Sequence, residues 1–466
     1  MLPSIRVALP LLASFAALAG AKDAAPPAMG PAAAGRAVVE VDERAAWRDR
    51  RDAALAADPR LDHDPTSMLV QFSAHELPEW ESLLRSLYGS AEVGSWDALP
   101  GLLHLTCDRD SADASAVLER LGVSMGVIEF AEPDLLYRLG ATPNDTSYGV
   151  LWGLNNTGQT VNRDRGTANA DIDCNLAWDV TTGSASMVVG MCDSGIRGTH
   201  EDIVGNLWTN PGEIAGNGVD DDGNGYRDDT WGWDFWNNDN NPTDDNGHGT
   251  HTAGTVGARG NNARGITGVC WNVQMVGLKI GSSSGSVSVS AGISALNYCV
   301  AKGIKLSNHS WGGGTFSSAM DAAITNARNA GHLLVCSAGN SGLNNDTSPS
   351  YPASYSQDNI LSVAATDNDN RLASFSNYGA TRVDLGAPGV NVYSTYGKSN
   401  TSYSYLSGTS MAAPHVTGVA ALVWGANPSW SYTQVRSKIL SSVKPVSALS
   451  GKTVTGGVLN ANNAVR

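Results

Sequence analysis

The stretch from residue 406 to residue 424 constrains the fold of this chain more than any other. A Gly/Ser turn leads into small residues and then into an apolar run that ends at Trp424. Because the run is apolar nearly all round, it predicts a helix buried in a core. Pro414 is expected in the first turn of that helix, where a missing backbone N–H costs little. Ser410 then stands at the helix N-terminus, where free N–H groups and the helix dipole favour negative charge.

Ser410 has two interpretations at this point. A serine that precedes a helix is most often only an N-cap, whose oxygen accepts a bond from the first turn. A hydroxyl at the N-terminus of a buried helix is also a candidate nucleophile, provided that a base reaches it. The rest of the chain decides between the two.

Composition indicates a large globular protein. The 466 residues include 42% apolar residues, 16% charged residues and 52 glycines, which suits a well-buried domain with tight turns plus smaller pieces. The same figures argue against a disordered or coiled-coil protein. A net charge of −15 argues against nucleic acid or anionic membrane surfaces as partners. Acidic residues are concentrated between 220 and 245, which indicates a cation site.

Six cysteines occur in the chain. Their spacing contains no CxxC pair or Cys/His cluster that would indicate zinc. Cys192, Cys299 and Cys336 lie in apolar runs and are expected to be small buried side chains. No disulfide is assigned, because removal of Cys107 during maturation would leave an odd number and at least one free thiol.

The first 21 residues carry one positive charge, an apolar run interrupted by Pro10, and a small-residue end. This pattern predicts a cleavable signal peptide and a secreted, extracellular protein without a stable membrane anchor, since the run is too short to remain as a membrane span. An uncleaved N-terminal anchor is the alternative. Residues 22–65, rich in Ala, Pro, Asp and Arg, predict a low-complexity spacer.

Residues 66–140 predict a compact α+β domain of the split βαβ, or ferredoxin-like, type. Residues 140–147 are polar and rich in turn formers, so they predict a linker and cleavage region. The strands of the α+β domain are expected at 68–72, 102–107 and 127–134, and its helices at 77–88 and 112–121.

From about residue 148 buried strands alternate with helices, which predicts an α/β fold with a central parallel sheet flanked by helices. In open parallel sheets the chemistry gathers beyond the carboxyl ends of the strands. Asp193, Ser310 and the segment 337–340 each follow a predicted strand, so they are expected at one edge of the sheet. The predicted strands are 187–192, 273–280, 304–309, 333–336 and 360–364, and the predicted helices include 289–302 and 318–330.

Two further motifs complete the site around Ser410. Asp193 lies in Cys-Asp-Ser-Gly-Ile, and His248 lies in Gly-His-Gly-Thr-His-Thr-Ala-Gly. A neutral imidazole can take a serine proton near pH 7, and a carboxylate can fix its tautomer and stabilise the imidazolium. Asn340 and the backbone N–H of Ser410 can supply two donors to a tetrahedral oxyanion. The order Asp, His, Ser is one of the known orders of this constellation.

These motifs, with Gly-Thr-Ser-Met-Ala-Ala-Pro-His around Ser410 and Ser-Ala-Gly-Asn ending at Asn340, resemble the signatures of the subtilisin-like serine peptidases in that family's order. The resemblance covers residues 145–466. It implies that Asp193 orients the imidazole, His248 acts as the base, Ser410 attacks the substrate, and Asn340 holds the oxyanion.

The resemblance also implies a substrate cleft. In the family's pattern, a strand that begins at Ser310 and the segment 282–286 flank an extended peptide as an added β-strand. No acidic residue occurs at the expected pocket positions, which argues against a dibasic-specific peptidase and favours an apolar or broad preference. For Trp311, ordinary core packing is the alternative. The implied substrate-binding residues are Ser310, Trp311, Gly312, Ala338 and Gly339, with Ser350 in the pocket wall.

The segment 217–229 is the second clear signal, because Asp and Asn oxygens alternate around glycines as in a calcium loop. Trp231 stands where an EF-hand has its bidentate Glu, so an EF-hand is not expected; a solvated acidic turn is the alternative. The resemblance implies a second calcium site with Asp202 and Asn262, although the neighbouring Arg264 is not a ligand. Both sites would be structural. The ligands expected at the first site are Asp220, Asp222, Asn224, Tyr226 and Asp228.

The domain before residue 140 resembles the propeptides of secreted subtilases, most clearly at 127–134. This resemblance implies a segment that helps the peptidase domain to fold and then acts as its intramolecular inhibitor. An accessory domain that stays attached is the alternative.

The sequence thus predicts a secreted, calcium-stabilised serine endopeptidase that is made as a self-processing zymogen and acts on protein or peptide substrates as a monomer. A non-enzymatic relative, and an esterase or acyltransferase with the same constellation, are the alternatives. The natural substrate, the maturation site within a few residues, the cysteine pairing and the number of calcium ions stay open.

Overall fold

A computed structural model describes residues 63–72, 92–96, 99–106, 111, 114–116, 128–135 and 141–466. The chain divides into two compact units, residues 1–138 and residues 139–466, and each unit has its own sheets. The predicted signal peptide and almost all of the predicted spacer lie outside the described residues.

The first unit contains a four-stranded antiparallel sheet. Its buried face follows the period-two pattern, since Met68 pairs with Leu105 and Val70 pairs with Leu103, and all four side chains are buried. The strands are β1 (His63–Phe72), β2 (Glu92–Trp96), β3 (Leu99–Thr106) and β4 (Ile128–Leu135), in the sheet order β2-β3-β1-β4.

Strand β2 was not predicted, because its sequence Glu-Val-Gly-Ser-Trp is short and only partly apolar. The predicted helix 77–88 and most of the predicted helix 112–121 lie outside the described residues. The ferredoxin-like topology therefore stays a prediction.

A nine-stranded sheet forms the centre of the second unit. All of its neighbouring strands are parallel except the last pair at one edge. Its strands are β7 (Gly183–Asp193), β8 (Gly232–Asp234), β9 (Asn272–Lys279), β10 (Leu306–His309), β11 (Leu333–Ser337), β12 (Ile360–Thr366), β13 (Leu385–Pro388), β16 (Lys444–Pro445) and β17 (Gly457–Val458), in the order β16-β17-β13-β12-β11-β10-β7-β9-β8. Two antiparallel hairpins join β5 (Thr160–Val161) to β6 (Asp164–Arg165) and β14 (Val392–Thr395) to β15 (Tyr403–Leu406).

Helices cover this sheet, so the predicted α/β class is confirmed. The strands of its centre are buried along their whole length, as β11 and β12 show, because both faces of a parallel sheet need cover. Within the described residues, no helix is long and apolar enough to cross a membrane. The helices are α1 (Cys174–Ala177), α2 (His248–Gly257), α3 (Val289–Ala301), α4 (Ser318–Asn329), α5 (Thr409–Ala426), α6 (Tyr432–Ser441) and α7 (Ala461–Val465).

The five predicted strands and the two predicted helices of the second unit are present, with ends that differ by one or two residues in most cases. Strand β7 differs most, because it begins at Gly183 in a stretch of Ser and Ala that carries no apolar signal. The five described cysteines are buried and free, and Cys107 lies outside the described residues.

The prediction for Pro414 was wrong. Helix α5 begins at Thr409, so Pro414 is its sixth residue and lies in the second turn. A proline at this position cannot donate to the carbonyl oxygen four residues earlier, which belongs to Ser410. That oxygen therefore lacks its usual helical donor.

Five histidines of the second unit are at most 2% exposed, and four of them have a strongly lowered pKa. Burial lowers the pKa of His251 and His309 to about 3 and the pKa of His332 and His415 to about 4. They are therefore neutral in the folded protein at pH 5, whereas in the unfolded chain they bind protons below about pH 6.5. Stability due to these groups is complete above that pH and is lost as the pH falls towards 4.

We predict that the free energy of unfolding falls steeply between pH 7 and pH 5, by on the order of 2 kcal/mol for each buried histidine. Urea unfolding of a Ser410→Ala variant, which lacks the predicted nucleophile, would measure it. Replacing His332 with Gln in that background should reduce the loss between the two pH values. An equal loss in both proteins would contradict the assignment.

Candidate active site

Asp193 and His248 meet at the carboxyl edge of the sheet. Asp193 is the last residue of β7, and His248 is the first residue of α2. Their side chains are joined by a bond of 2.7 Å between Nδ1 of His248 and Oδ1 of Asp193. The Asp193 carboxylate also accepts bonds from the backbone N–H of Ser194 and the hydroxyl of Thr252. These bonds offset the cost of burying the carboxylate, which is only 4% exposed.

Glycine at position 249 makes this approach possible. A Cβ atom there would lie 2.1 Å from the carbonyl oxygen of Gly195 and 3.1 Å from Cβ of Asp193. Any side chain would therefore push α2 away from the end of β7. The motif therefore has glycine at position 249 because no side chain fits between α2 and the turn after β7.

The Asp193 carboxylate fixes the protonation pattern of His248. A carboxylate only accepts, so Nδ1 carries the proton and Nε2 is left with a lone pair. Burial acts to lower the pKa of His248, but the charge and hydrogen bond of Asp193 and the charge of Asp244 outweigh it, so the pKa is raised. The imidazole is about one third exposed, so a substrate can reach it.

Asp244 is a site residue that the sequence analysis missed. It is buried, and its carboxylate accepts bonds from the hydroxyl of Ser194 and from the backbone N–H groups of Gly247 and Thr250. These bonds tie the turn before α2 to the turn after β7. An acid four residues before His248 was a signal for such a turn, because Asp favours helix N-termini.

Ser410 is the second residue of α5, beside Asn340. Oδ1 of Asn340 accepts bonds from the backbone N–H of Thr409 at 2.8 Å and from its hydroxyl at 2.9 Å. Since these bonds occupy the oxygen, Nδ2 is the free end of the amide. Nδ2 and the backbone nitrogen of Ser410 lie 3.5 Å and 3.6 Å from the point where a Cβ of Gly408 would be. Both nitrogens thus lie near Gly408, at the start of α5.

The Ser410 hydroxyl is hydrogen bonded to the carbonyl oxygen of Ser310 at 3.1 Å and, within the described part of the chain, not to His248. Attack on a carbonyl therefore requires the hydroxyl to turn towards the imidazole. Loose geometry between a nucleophile and its base is common without a substrate.

Two of the expected substrate-binding residues, Gly312 and Gly339, lie next to Ser350. Its Oγ lies 3.4 Å from the Cβ position of Gly312 and 3.1 Å from that of Gly339, so the segments after β10 and β11 approach the same point. Ala338 is fully buried. The Trp311 ring is half-buried, packs against a core cluster, and lies 3.0 Å from the Cβ position of Gly292.

In the acidic segment, two of the five expected ligands come together with an additional residue. Oxygen atoms of Asp220, Asp222 and Glu213 lie within 4.8 Å of one another. Glu213 was missed because it lies outside the alternating pattern. Asp222 is also paired with Lys302. The other expected ligands have other partners: Asp228 accepts two backbone N–H bonds, the Asn224 amide donates to Asp229, and the Tyr226 ring packs against Trp233.

At the second expected cation site, Asp202 accepts bonds from the amide of Asn262, the backbone N–H of Ile266 and the hydroxyl of Tyr403. Asp145, which the sequence analysis missed, lies at the same loop. Its Oδ2 accepts from a backbone N–H of the loop, while its Oδ1 is buried without a partner. Burial, with the nearby charge of Asp202, raises the pKa of Asp145. An unpaired oxygen beside a second carboxylate suits a hard cation.

Comparisons with known proteins agree with this geometry. A family model described as the subtilase family matches residues 184–462. A thermophilic serine proteinase from Bacillus sp. (strain AK1) is 35% identical over 340 residues, which cover 73% of each chain. Thermitase from Thermoactinomyces vulgaris is 36% identical over 290 residues, which cover 62% of this chain and 92% of thermitase.

A crystal structure of a cold adapted subtilisin-like serine proteinase has a TM-score of 0.51 and 30% sequence identity to this chain, over 67% of this chain and 98% of that one. The family model spans more than half of the chain, and the fold and the named relatives point to the same activity. The chain therefore belongs to the subtilase family and is a serine endopeptidase.

Proposed function

We propose that this subtilase cleaves peptide bonds with Asp193, His248 and Ser410 as its catalytic triad and with Asn340 as an oxyanion donor. The observation that carries the proposal is the 2.7 Å bond between the buried Asp193 and His248, which leaves Nε2 as a base. Nε2 takes the proton of Ser410 as Oγ attacks the scissile carbonyl, and then gives it to the leaving amine. Water hydrolyses the resulting acyl-enzyme by the reverse order of steps.

The oxyanion is stabilised by Nδ2 of Asn340 and the backbone N–H of Ser410. Both donors are fixed before the reaction, because the Asn340 oxygen is held by Thr409 and the Ser410 nitrogen belongs to the first turn of α5. Donors that need no reorganisation stabilise developing charge well. The helix dipole adds to the same effect.

The substrate class is protein or peptide, bound as an extended strand along residues 310–314 and 282–286. The side chain of Asn246 donates to the carbonyl of Ser283, which ties the second segment to the turn before His248. Gly312 and Gly339, the expected pocket residues next to Ser350, carry no charge, and this supports an apolar or broad preference over a dibasic one.

Calcium is the proposed structural cofactor. Asp145, Asp202 and Asn262 would hold one ion, and Glu213, Asp220 and Asp222 another. The unpaired buried oxygen of Asp145 supports the first site, and the convergence of three carboxylates supports the second. Bound calcium would neutralise these acids and fix long loops, with no part in bond cleavage.

The protein is proposed to be a secreted monomer made as a zymogen. Residues 1–21 would act as a signal peptide and residues 66–140 as an inhibitory propeptide. Ser410 would release the propeptide by cleavage within 140–147, a polar segment rich in turn formers.

The raised pKa of His248 predicts the acid limb of the pH profile. The base is active only when neutral, so kcat/KM should fall as the pH drops through a pKa above 6.5, the ordinary histidine value. Hydrolysis of a peptide substrate between pH 5 and pH 9 would measure it. Asp193→Asn should lower kcat by roughly 10³- to 10⁴-fold. An acid limb below pH 6.5 would contradict the assigned base.

Removal of calcium should lower the melting temperature of Ser410→Ala by roughly 5–10 °C. Scanning calorimetry with excess calcium or with a chelator would measure the shift. Asp145→Asn should reduce it, whereas Asp358→Asn, which changes an exposed acid outside both sites, should not. The same melting temperature with and without calcium would exclude a structural ion.

Self-processing can be tested by the intact mass of the secreted wild type beside Ser410→Ala. The wild type should lose the residues up to about 140, with a new N-terminus within 140–147, and the variant should keep them. Ser362→Ala, a change of a buried serine on β12, should process normally. Equal trimming of all three proteins would show that another protease cuts, and no trimming at all would overturn the zymogen proposal.

A further inference from the structure

The carbonyl oxygen of Ser410 is held from outside its own helix. Pro414 cannot donate to it, and a proline ring also crowds the carbonyl four residues earlier, which turns it away from the helix axis. The hydroxyl of Ser310, the residue directly after β10, donates to this oxygen at 2.8 Å. Ser310 is buried, so water does not compete for the bond. The strand thus supplies the donor that the helix lacks.

Two fully buried side chains orient Ser310: Asn308 bonds to it directly, and Thr417 bonds to Asn308. Nδ2 of Asn308 donates to Oγ of Ser310 at 2.9 Å, and the hydroxyl of Thr417 lies 2.9 Å from Oδ1 of Asn308. Thr417 belongs to α5, two turns after the nucleophile. The hydrogen bonds therefore run from α5 through β10 and back to the first turn of α5.

The direction of these bonds follows from the carbonyl of Ser410, which needs a donor from outside its helix. The hydroxyl of Thr417 could donate to the carbonyl of Ala413 instead, since that oxygen lies 3.1 Å away. Asn308 could then turn over and accept the proton of Ser310, but Ser410 would be left without any donor. A buried carbonyl without a donor costs free energy. The order Thr417 to Asn308 to Ser310 to Ser410 is the arrangement that gives every acceptor a proton.

We propose that Ser310, oriented by Asn308 and Thr417, is a positioning residue for the nucleophile and replaces the helical bond that Pro414 cannot make. The inference rests on the proposed role of Ser410. By fixing the Ser410 carbonyl, the Ser310 hydroxyl fixes the rotation of the backbone that carries Oγ. A substrate contact at Ser310 is a different role, because it would affect peptide binding and not the reactivity of Ser410 towards small reagents.

The test compares Ser310→Ala, Pro414→Ala and the double variant, measured as mature enzymes. Two quantities are needed: kcat and KM for a peptide, and the rate constant for labelling of Ser410 by phenylmethanesulfonyl fluoride, which is too small to pair with the 310–314 strand. Ser310→Ala should lower kcat and the labelling rate about tenfold, with KM within about twofold, as expected for loss of one buried hydrogen bond. Ser362→Ala, whose hydroxyl has no partner, should match the wild type.

The double variant gives the sharpest readout. Alanine at 414 restores an N–H that can donate to Ser410, so Pro414→Ala should rescue Ser310→Ala to within about threefold of the wild type. If Ser310→Ala only destabilised the fold, Pro414→Ala on α5 would not restore the labelling rate. A double variant as slow as Ser310→Ala would overturn the proposal, and so would a raised KM with an unchanged labelling rate.

Two controls separate the remaining outcomes. If Ser310→Ala does not fold, Thr417→Val replaces it: a two- to threefold lower labelling rate supports the proposal, and an unchanged rate overturns it. If Ser410→Ala is still active, the proposed catalytic role itself is wrong. If Ser410→Ala is inactive while the Ser310 and Thr417 variants behave as wild type, only the positioning role is wrong.

Discussion

Burial of helix α5 is the constraint on which the active site depends. The helix is buried from Met411 to Trp424 and packs against five strands of the parallel sheet, so its first turn has one position relative to their carboxyl ends. Asp193, His248 and Asn340 come from separate elements packed around the same core. No local interaction joins all four groups, so the precision of the site comes from the packing of apolar surfaces. A slip of α5 along the sheet would move Ser410 away from every partner at once.

The motifs made the site residues predictable, whereas the supporting contacts were not. Asp193, His248 and Ser410 stand at strand or helix ends, and Asn340 follows the end of β11 by three residues. Alternation of strands and helices indicates where those ends meet. Asp145 and Glu213 join their clusters through loop conformations that leave no periodic signal. Pro414 was misplaced by one turn because propensity does not fix where a helix begins when tertiary packing decides it.

The two acidic clusters are alike in composition but differ in environment. At the loop after α2, Asp202 is fully buried and its oxygens already accept three bonds, so the unpaired atom belongs to Asp145. In the 213–229 segment the acids are more exposed, and Lys302 supplies a positive charge beside Asp222. Asp145 and Asp202 therefore lie where the local dielectric is lower, whereas solvent and Lys302 screen the acids of the 213–229 segment.

Histidines on the same two helices show that surroundings decide which group can act as a base. His251 lies three residues after His248 on α2, but it is fully buried and hydrogen bonds only to backbone carbonyls, and its pKa falls to about 3. His415, five residues after Ser410, is also buried and bonds to the carbonyl of Met411, and its pKa falls to about 4. His248 is partly exposed and faces two carboxylates, so its pKa moves in the opposite direction. Three imidazoles in motif positions thus divide into two that fill space and one that can exchange a proton near neutral pH.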